Sequence, residues 1–169
     1  MNFKRLVLAF AAIFGFWGSA HAAGACPAGH ICASDPNGVA EALQELGFKA
    51  ELKTHEKSGD PMINSAAAGY KFALHFNDCE QSKACKSLSF VLIFKDDGKN
   101  TAQLANAWNR KKRFTQMAAN TNGSLAVSYD VTTLGGLTPA NFADVVDWWQ
   151  SMLGQLPRFF EEQSSQQAG

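Results

Sequence analysis

From residue 35 onward the apolar positions fall into runs whose spacing switches between the helical and the extended repeat. Val39, Leu43 and Leu46, with Ala42 beside them, recur at helical spacing. Asp35 precedes them as an N-cap with Pro36 at the first helical position, and Gly47 supplies the stop, so the first element is a helix. Phe48 to Lys53 then alternates apolar and polar residues, the mark of a strand with one dry face. Lys57-Ser58-Gly59-Asp60-Pro61 is a turn, Met62 to Ala66 a short second strand, and Gly69 the next turn. Tyr70, Phe72, Leu74 and Phe76 make the inward row of a third strand. Leu88, Phe90, Leu92 and Phe94 make that of a fourth, whose other row also holds Val91 and Ile93. The fourth strand is therefore expected to be covered on both faces.

Asp96-Asp97-Gly98 ends this meander, and a helical face of Thr101, Leu104, Ala105 and Trp108 follows. Trp108 reads as a core anchor that needs a partner for its indole N–H. Asn109 reads as the end of that helix, its amide bonding nearby backbone, with a ligand amide as the competing reading. Phe114 is expected to open a strand that turns at Asn122-Gly123 and returns through Leu125, Val127 and Tyr129. Thr138-Pro139 starts the last helix, on which Phe142, Val145, Val146, Trp149, Leu153, Leu156 and Phe160 form a core stripe; Gly154 and Pro157 should weaken or kink its end. Gln163 to Gly169 reads as a polar, disordered tail. The order is helix, four strands, helix, two strands, helix. It predicts an α+β fold, a twisted antiparallel sheet with flanking helices.

Two positions do not fit the core pattern. Adjacent helical residues point about 100° apart, so Trp148 cannot share the face of Trp149. It lies on a mixed flank with Asn141, Asp144, Val145, Met152 and Gln155. Trp is enriched at binding hot spots and Met suits adaptable contacts, so Trp148 and Met152 are read as a self-association or partner surface. The consecutive cations Arg110, Lys111, Lys112 and Arg113 read as a solvated helix end or, more sharply, as a site for an anion or an acidic partner.

The N-terminus changes the compartment. Lys4 and Arg5 precede an apolar run from Leu6 to Trp17, and Ala20-His21-Ala22 follows with small-x-small spacing. This is a signal peptide over residues 1–22; the run is short for a retained anchor. The mature chain then begins near Ala23 in the periplasm or outside the cell, with residues 23–34 as an N-terminal arm, and no integral membrane segment remains. Removing two of the 15 cations leaves 13 against 15 acidic residues, a balance that gives no reason to expect nucleic acid.

All four cysteines, Cys26, Cys32, Cys79 and Cys85, follow the cleavage point. An even count in an exported chain reads as disulfides. Pairing within each five-residue interval, Cys26 with Cys32 and Cys79 with Cys85, is favoured among the three connectivities four cysteines allow. The arm also offers a competing reading: Cys26, His30 and Cys32 as part of a zinc site or a thiol-redox centre, although zinc wants four deprotonated ligands. A lipidated Cys26 would leave an odd thiol. His75 alternates with Leu74 and Phe76 and should face away from what they bury, with no carboxylate placed beside it as a catalytic partner.

Asp60-Pro61-Met62-Ile63, Ser65, Gly69, Cys79, Cys85, Ser87, Phe90, Asn106-Ala107-Trp108-Asn109, Lys112-Arg113-Phe114, Asp130, Gly135-Gly136, Phe142 and Trp148-Trp149 together resemble the YbjN family. Its members carry the label of bacterial sensory transduction regulators. The resemblance spans residues 35–162. It implies a fold like that of type III secretion chaperones, often dimeric, with no enzyme activity, no cofactor and no established ligand. The signal peptide and paired cysteines depart from the cytoplasmic members.

The reading favoured is an exported, non-catalytic binding or regulatory module that works through protein contact, with an unidentified protein partner or a second copy. The alternative is a periplasmic thiol-redox or metal-dependent enzyme built on Cys26, His30 and Cys32. Envelope association through Arg110–Arg113 is a third reading, with no amphipathic helix behind it. Intact mass of the exported protein checks the compartment: a mature form starting at Ala23 is expected, and one that still carries Lys4 and Arg5 refutes cleavage.

Overall fold

The computed structural model describes residues 26–167. Residues 1–22, read above as a signal peptide, residues 23–25 of the expected arm and the last two residues lie outside them. The elements are α1 (Pro36–Glu45), β1 (Glu51–Thr54), β2 (Pro61–Ala67), β3 (Tyr70–Asn77), β4 (Ser87–Phe94), α2 (Ala102–Lys111), β5 (Gln116–Ala119), β6 (Leu125–Thr132), α3 (Pro139–Gly154) and α4 (Leu156–Gln167). The strands form one six-stranded sheet in the order β1-β2-β3-β4-β6-β5, antiparallel throughout. The α+β class expected from the sequence is what the structure has.

Helix starts follow the sequence closely. Asp35, Thr101 and Thr138 each cap a helix by accepting a backbone N–H three residues on, which supplies one of the donors a first turn leaves unpaired. The inner face of the sheet carries Ile63, Phe72, Leu74, Phe76, Leu88, Phe90, Leu92, Met117, Leu125 and Val127, all buried in one cluster with Val39, Leu43, Trp108, Phe142, Trp149 and Leu153 of the helices. Trp149 is fully buried, its ring 5.5 Å from Phe72 and 5.7 Å from Phe90. Its indole N–H and the Ser65 hydroxyl are buried without a partner among the described residues.

Several expectations are corrected. The first strand begins at Glu51, not Phe48, because the Phe48 N–H still bonds Leu43 O to close α1, across Gly47 at φ +85°. The fourth strand is covered on one face only. Val91 is half-buried and Ile93 is 52% exposed, because the buried helical residues all join the cluster on the other face. Phe114 does not open a strand; β5 starts at Gln116 and Phe114 sits at φ +62°. The last helix is two helices. Gly154 ends α3, and Pro157 falls near the start of α4, where its missing N–H costs nothing. The break resets the helical phase, so Phe159 rather than Phe160 is buried, its ring 5.1 Å from Trp108. Phe160 packs 5.3 Å from Phe94 instead. The expected tail is helical as far as Gln167.

The arm is not separate either. Ile31 exchanges two backbone hydrogen bonds with Leu137 (2.8 and 2.9 Å), and Ala33 N–H donates to the buried Thr133 hydroxyl at 2.8 Å. That hydroxyl donates in turn to Lys86 O at 3.1 Å, tying arm, β6 and the β3–β4 hairpin together. Gly136 lets the arm lie this close: a Cβ there would sit 2.7 Å from the Cβ of His30.

Asn109 does not end its helix; α2 runs two residues further. Its amide does bond backbone, but across a gap. Nδ2–H donates to Met117 O (2.9 Å) and Oδ1 accepts Met117 N–H (2.8 Å). One side chain thereby occupies the free donor and acceptor of the β5 edge, as a neighbouring strand would. Trp108 is fully buried, and its Nε1–H donates to Thr115 Oγ1 at 3.2 Å. Trp108→Ala should cost about 3–5 kcal/mol, as for other buried aromatics. Asn109→Ala should cost about 1–3 kcal/mol through the unpaired strand edge. Denaturant unfolding measures both, and hydrogen exchange of the Met117 amide should quicken in the Asn109 variant.

Candidate interaction surface

The surface begins with a constraint on residues 112–115. Lys112 N–H closes the last turn of α2 on Trp108 O, while the Thr115 hydroxyl is held by the Trp108 indole and Met117 by Asn109. Only Arg113 and Phe114 remain to reverse the chain from helix to edge strand. Thr115 N–H bonds Arg113 O at 2.6 Å, and Phe114 takes φ +62°. A bulky residue in that region costs about 1–3 kcal/mol, so it persists only where its surroundings over-determine it.

The turn delivers the Phe114 ring onto α3. Phe114 and Trp148 lie 4.5 Å apart, centroid to centroid, and Tyr129 closes the group 6.1 Å from Phe114. Phe114 is 41% and Trp148 37% exposed. Burial, and then the negative charge of Asp144, push the Tyr129 hydroxyl pKa above its ordinary value. The Arg113 guanidinium lies 5.1 Å from the Phe114 ring centre, a favourable cation–π position. Trp148 and Arg113, far apart in sequence, thus meet at one place through Phe114.

The structure sorts the remaining candidate residues. Met152 is buried and Trp149 fully so; both belong to the core, and Met152 presents no surface beside Trp148. Lys112 is half-buried: its ammonium bonds Gln155 Oε1 and lies 5.4 Å from the Trp108 ring centre, so it serves the fold. Arg110, Lys111 and Arg113 are exposed. The ion pairs among the described residues are Lys53–Glu51, Lys86–Glu80 and Arg158–Glu162, so none of the four cations has a carboxylate within 4.0 Å there.

Cysteine pairing follows the favoured pattern, Cys26 with Cys32 and Cys79 with Cys85, leaving no free cysteine among the described residues. The second bond closes the tip of the β3–β4 hairpin, where Asp78, Gln81, Ser82 and Ala84 all have positive φ. His30 is exposed on the arm and its Nδ1 lies 3.2 Å from Ala28 O. No three His, Cys, Asp or Glu side chains converge among the described residues. The open face of the sheet holds a shallow hollow of about 510 Å³ over Ala66, Ala73 and Val91, rimmed by Lys49, Glu51 and Lys71.

His75 faces that open side, half-buried beside His55, with ring centroids 5.7 Å apart. Neither His55 nor this pairing is evident from the alternation pattern, because His55 lies beyond the end of β1. Burial first, and then the charge of His55, hold the His75 pKa below its ordinary 6.5. Since the unfolded chain takes up that proton at higher pH than the fold does, this contribution is complete above about pH 6.5 and falls away below it. Stability measured by denaturant across pH 7 to 5 should therefore decline, and His75→Gln should flatten the decline. An unchanged slope contradicts this.

Against known families, residues 35–162 match the model named YbjN, described as "Putative bacterial sensory transduction regulator". No curated protein matches the chain. A similar solved structure is described as "Crystal structure of YbjN, a putative transcription regulator from E. coli"; it aligns with a TM-score of 0.52 at 11% identity, over 76% of this chain and 95% of that one. At such identity the likeness concerns the fold alone. With the family model spanning the whole of α1 to α3 and half of α4, this chain belongs to the YbjN family.

Proposed function

We propose that the chain is an exported, non-catalytic regulatory module that works by protein–protein contact, chaperone-like or in envelope signalling, through the surface centred on Phe114 and Trp148. Membership of a family of regulators supports the regulatory part. The observation that carries the contact surface is the exposed Phe114 ring on a strained turn, packed on the exposed Trp148 ring of α3 and flanked by Arg113, which has no carboxylate within 4.0 Å among the described residues. A few large residues, Trp prominent among them, carry most of the energy at a binding interface once a partner covers and desolvates them. Nearby cations steer and orient a partner more than they hold it. Export rests on the sequence features of residues 1–22.

The enzyme alternative draws less support. Cys26 and Cys32 are joined to each other, which leaves neither as a nucleophile or metal ligand in this state. Titration of free thiols in the native protein separates the two readings: none is expected, and two reactive thiols at Cys26 and Cys32 would favour thiol chemistry.

Trp148→Ala should weaken association and leave the unfolding transition nearly unchanged. Affinity capture from the native envelope and light scattering of the purified protein read the first, and denaturant unfolding the second. Unaltered association with a stability loss of about 3 kcal/mol or more would make Trp148 a core residue and refute the surface.

A further inference from the structure

Three side chains come together on the open face of the sheet without taking part in the surface above. On β2 and β3 the buried residues alternate with Met62 and His75, so these two point outward. The register pairs them directly: Met62 lies opposite His75. Opposite side chains on one face stand about 4.5–5.5 Å apart at Cβ. His55 continues past β1, its N–H bonded to Asp60 O, and its ring meets that of His75 edge to face at 5.7 Å between centroids.

The centroid spacing falls within the range chelation requires, and from their edge-to-face packing the rings would turn to aim one nitrogen each at a common ion. Two imidazoles on a common ion at about 2.0–2.1 Å place their ring centres roughly 5–6 Å apart, since each ligating nitrogen stands about 1 Å from its ring centre. The Ser58 N–H donates to His55 Nδ1 at 3.2 Å, and the Ser58 hydroxyl lies at the same distance from that nitrogen. These contacts orient the ring from its Nδ1 side and leave Nε2 as the nitrogen a metal would take. The neighbouring cation, Lys53 opposite Met62, is engaged by Glu51 at 2.7 Å.

We propose that His55, His75 and Met62 form a binding site for one copper ion in the Cu(I) state. Two imidazoles alone suit zinc as well as copper; the thioether is the soft ligand that selects Cu(I). The site lies at the end of the sheet that holds the Cys79–Cys85 tip, where Ser82 Oγ approaches Ser58 O at 3.5 Å. It is independent of the aromatic surface and of any partner bound there.

The test is anaerobic titration of the purified protein with Cu(I) in competition with bicinchoninate, with Zn²⁺ titrated in parallel. One equivalent of Cu(I) should be retained. His55→Gln and His75→Gln should each weaken it by about tenfold or more. Met62→Leu should weaken Cu(I) but leave Zn²⁺ binding unchanged, and His30→Gln should alter neither. X-ray absorption of the loaded wild-type protein should show nitrogen and sulfur neighbours, a readout that does not depend on a variant folding. No retained copper, a shell without sulfur, or affinity unaffected by His75→Gln or by Met62→Leu overturns the proposal.

Discussion

Covering the sheet on a single face is the constraint from which the rest of this structure follows. Trp149 sits against Phe72 and Phe90 at the middle of the inner face, and the buried residues of α1 to α4 gather in the same cluster. With every large apolar row spent there, the outer face is left with small and polar residues such as Asn64, Ala73, Ser89 and Ser128, and Ile93 exposed among them. A sheet built this way must also manage its edges. At β5 it does so with one side chain, Asn109, placed by the helix that Trp108 anchors.

That edge device has a consequence for function. Holding Trp108, Asn109, Thr115 and Met117 in mutual register leaves the connecting residues no relaxed path, and Phe114 absorbs the mismatch. Strain, aromatic exposure and unneutralised charge therefore coincide at one point. Each alone is common on protein surfaces; a solitary exposed aromatic needs no explanation. Their coincidence at a turn fixed from both sides is what singles this place out. Just past the end of β6 the two disulfides flank Thr133, whose hydroxyl links the residue after Cys32 to the residue after Cys85. The arm and the hairpin tip are thus stabilised as one unit, by short loops whose closure contributes modestly on its own.

Much of this was written in local pattern. The caps at Asp35, Thr101 and Thr138, the inward rows of β3 and β4 and the Asn122-Gly123 turn depend only on residues within a few positions of one another, and each is found as the spacing predicts. The pairing of nearest cysteines and the helical face of Trp108 are local too. The candidate surface was legible only in parts: Trp148 as a residue off the core stripe, and Arg110–Arg113 as a charge run.

The sequence by itself determined the helices, the strands, their order and which face of each is apolar, because periodicity is a property of neighbouring residues. Only the tertiary structure decided where those faces meet. It left the second row of β4 open, since no local signal says how many helices a sheet will find. It buried Met152 and half-buried Lys112, since exposure depends on what packs opposite. It turned Asn109 from a helix end into a strand-edge partner, a bond to a residue eight positions away that propensity cannot foresee. It brought Phe114 to Trp148 and His55 to His75 for the same reason: ring contacts between elements distant in sequence are set by strand register and helix docking, and those are global solutions to burying one apolar face.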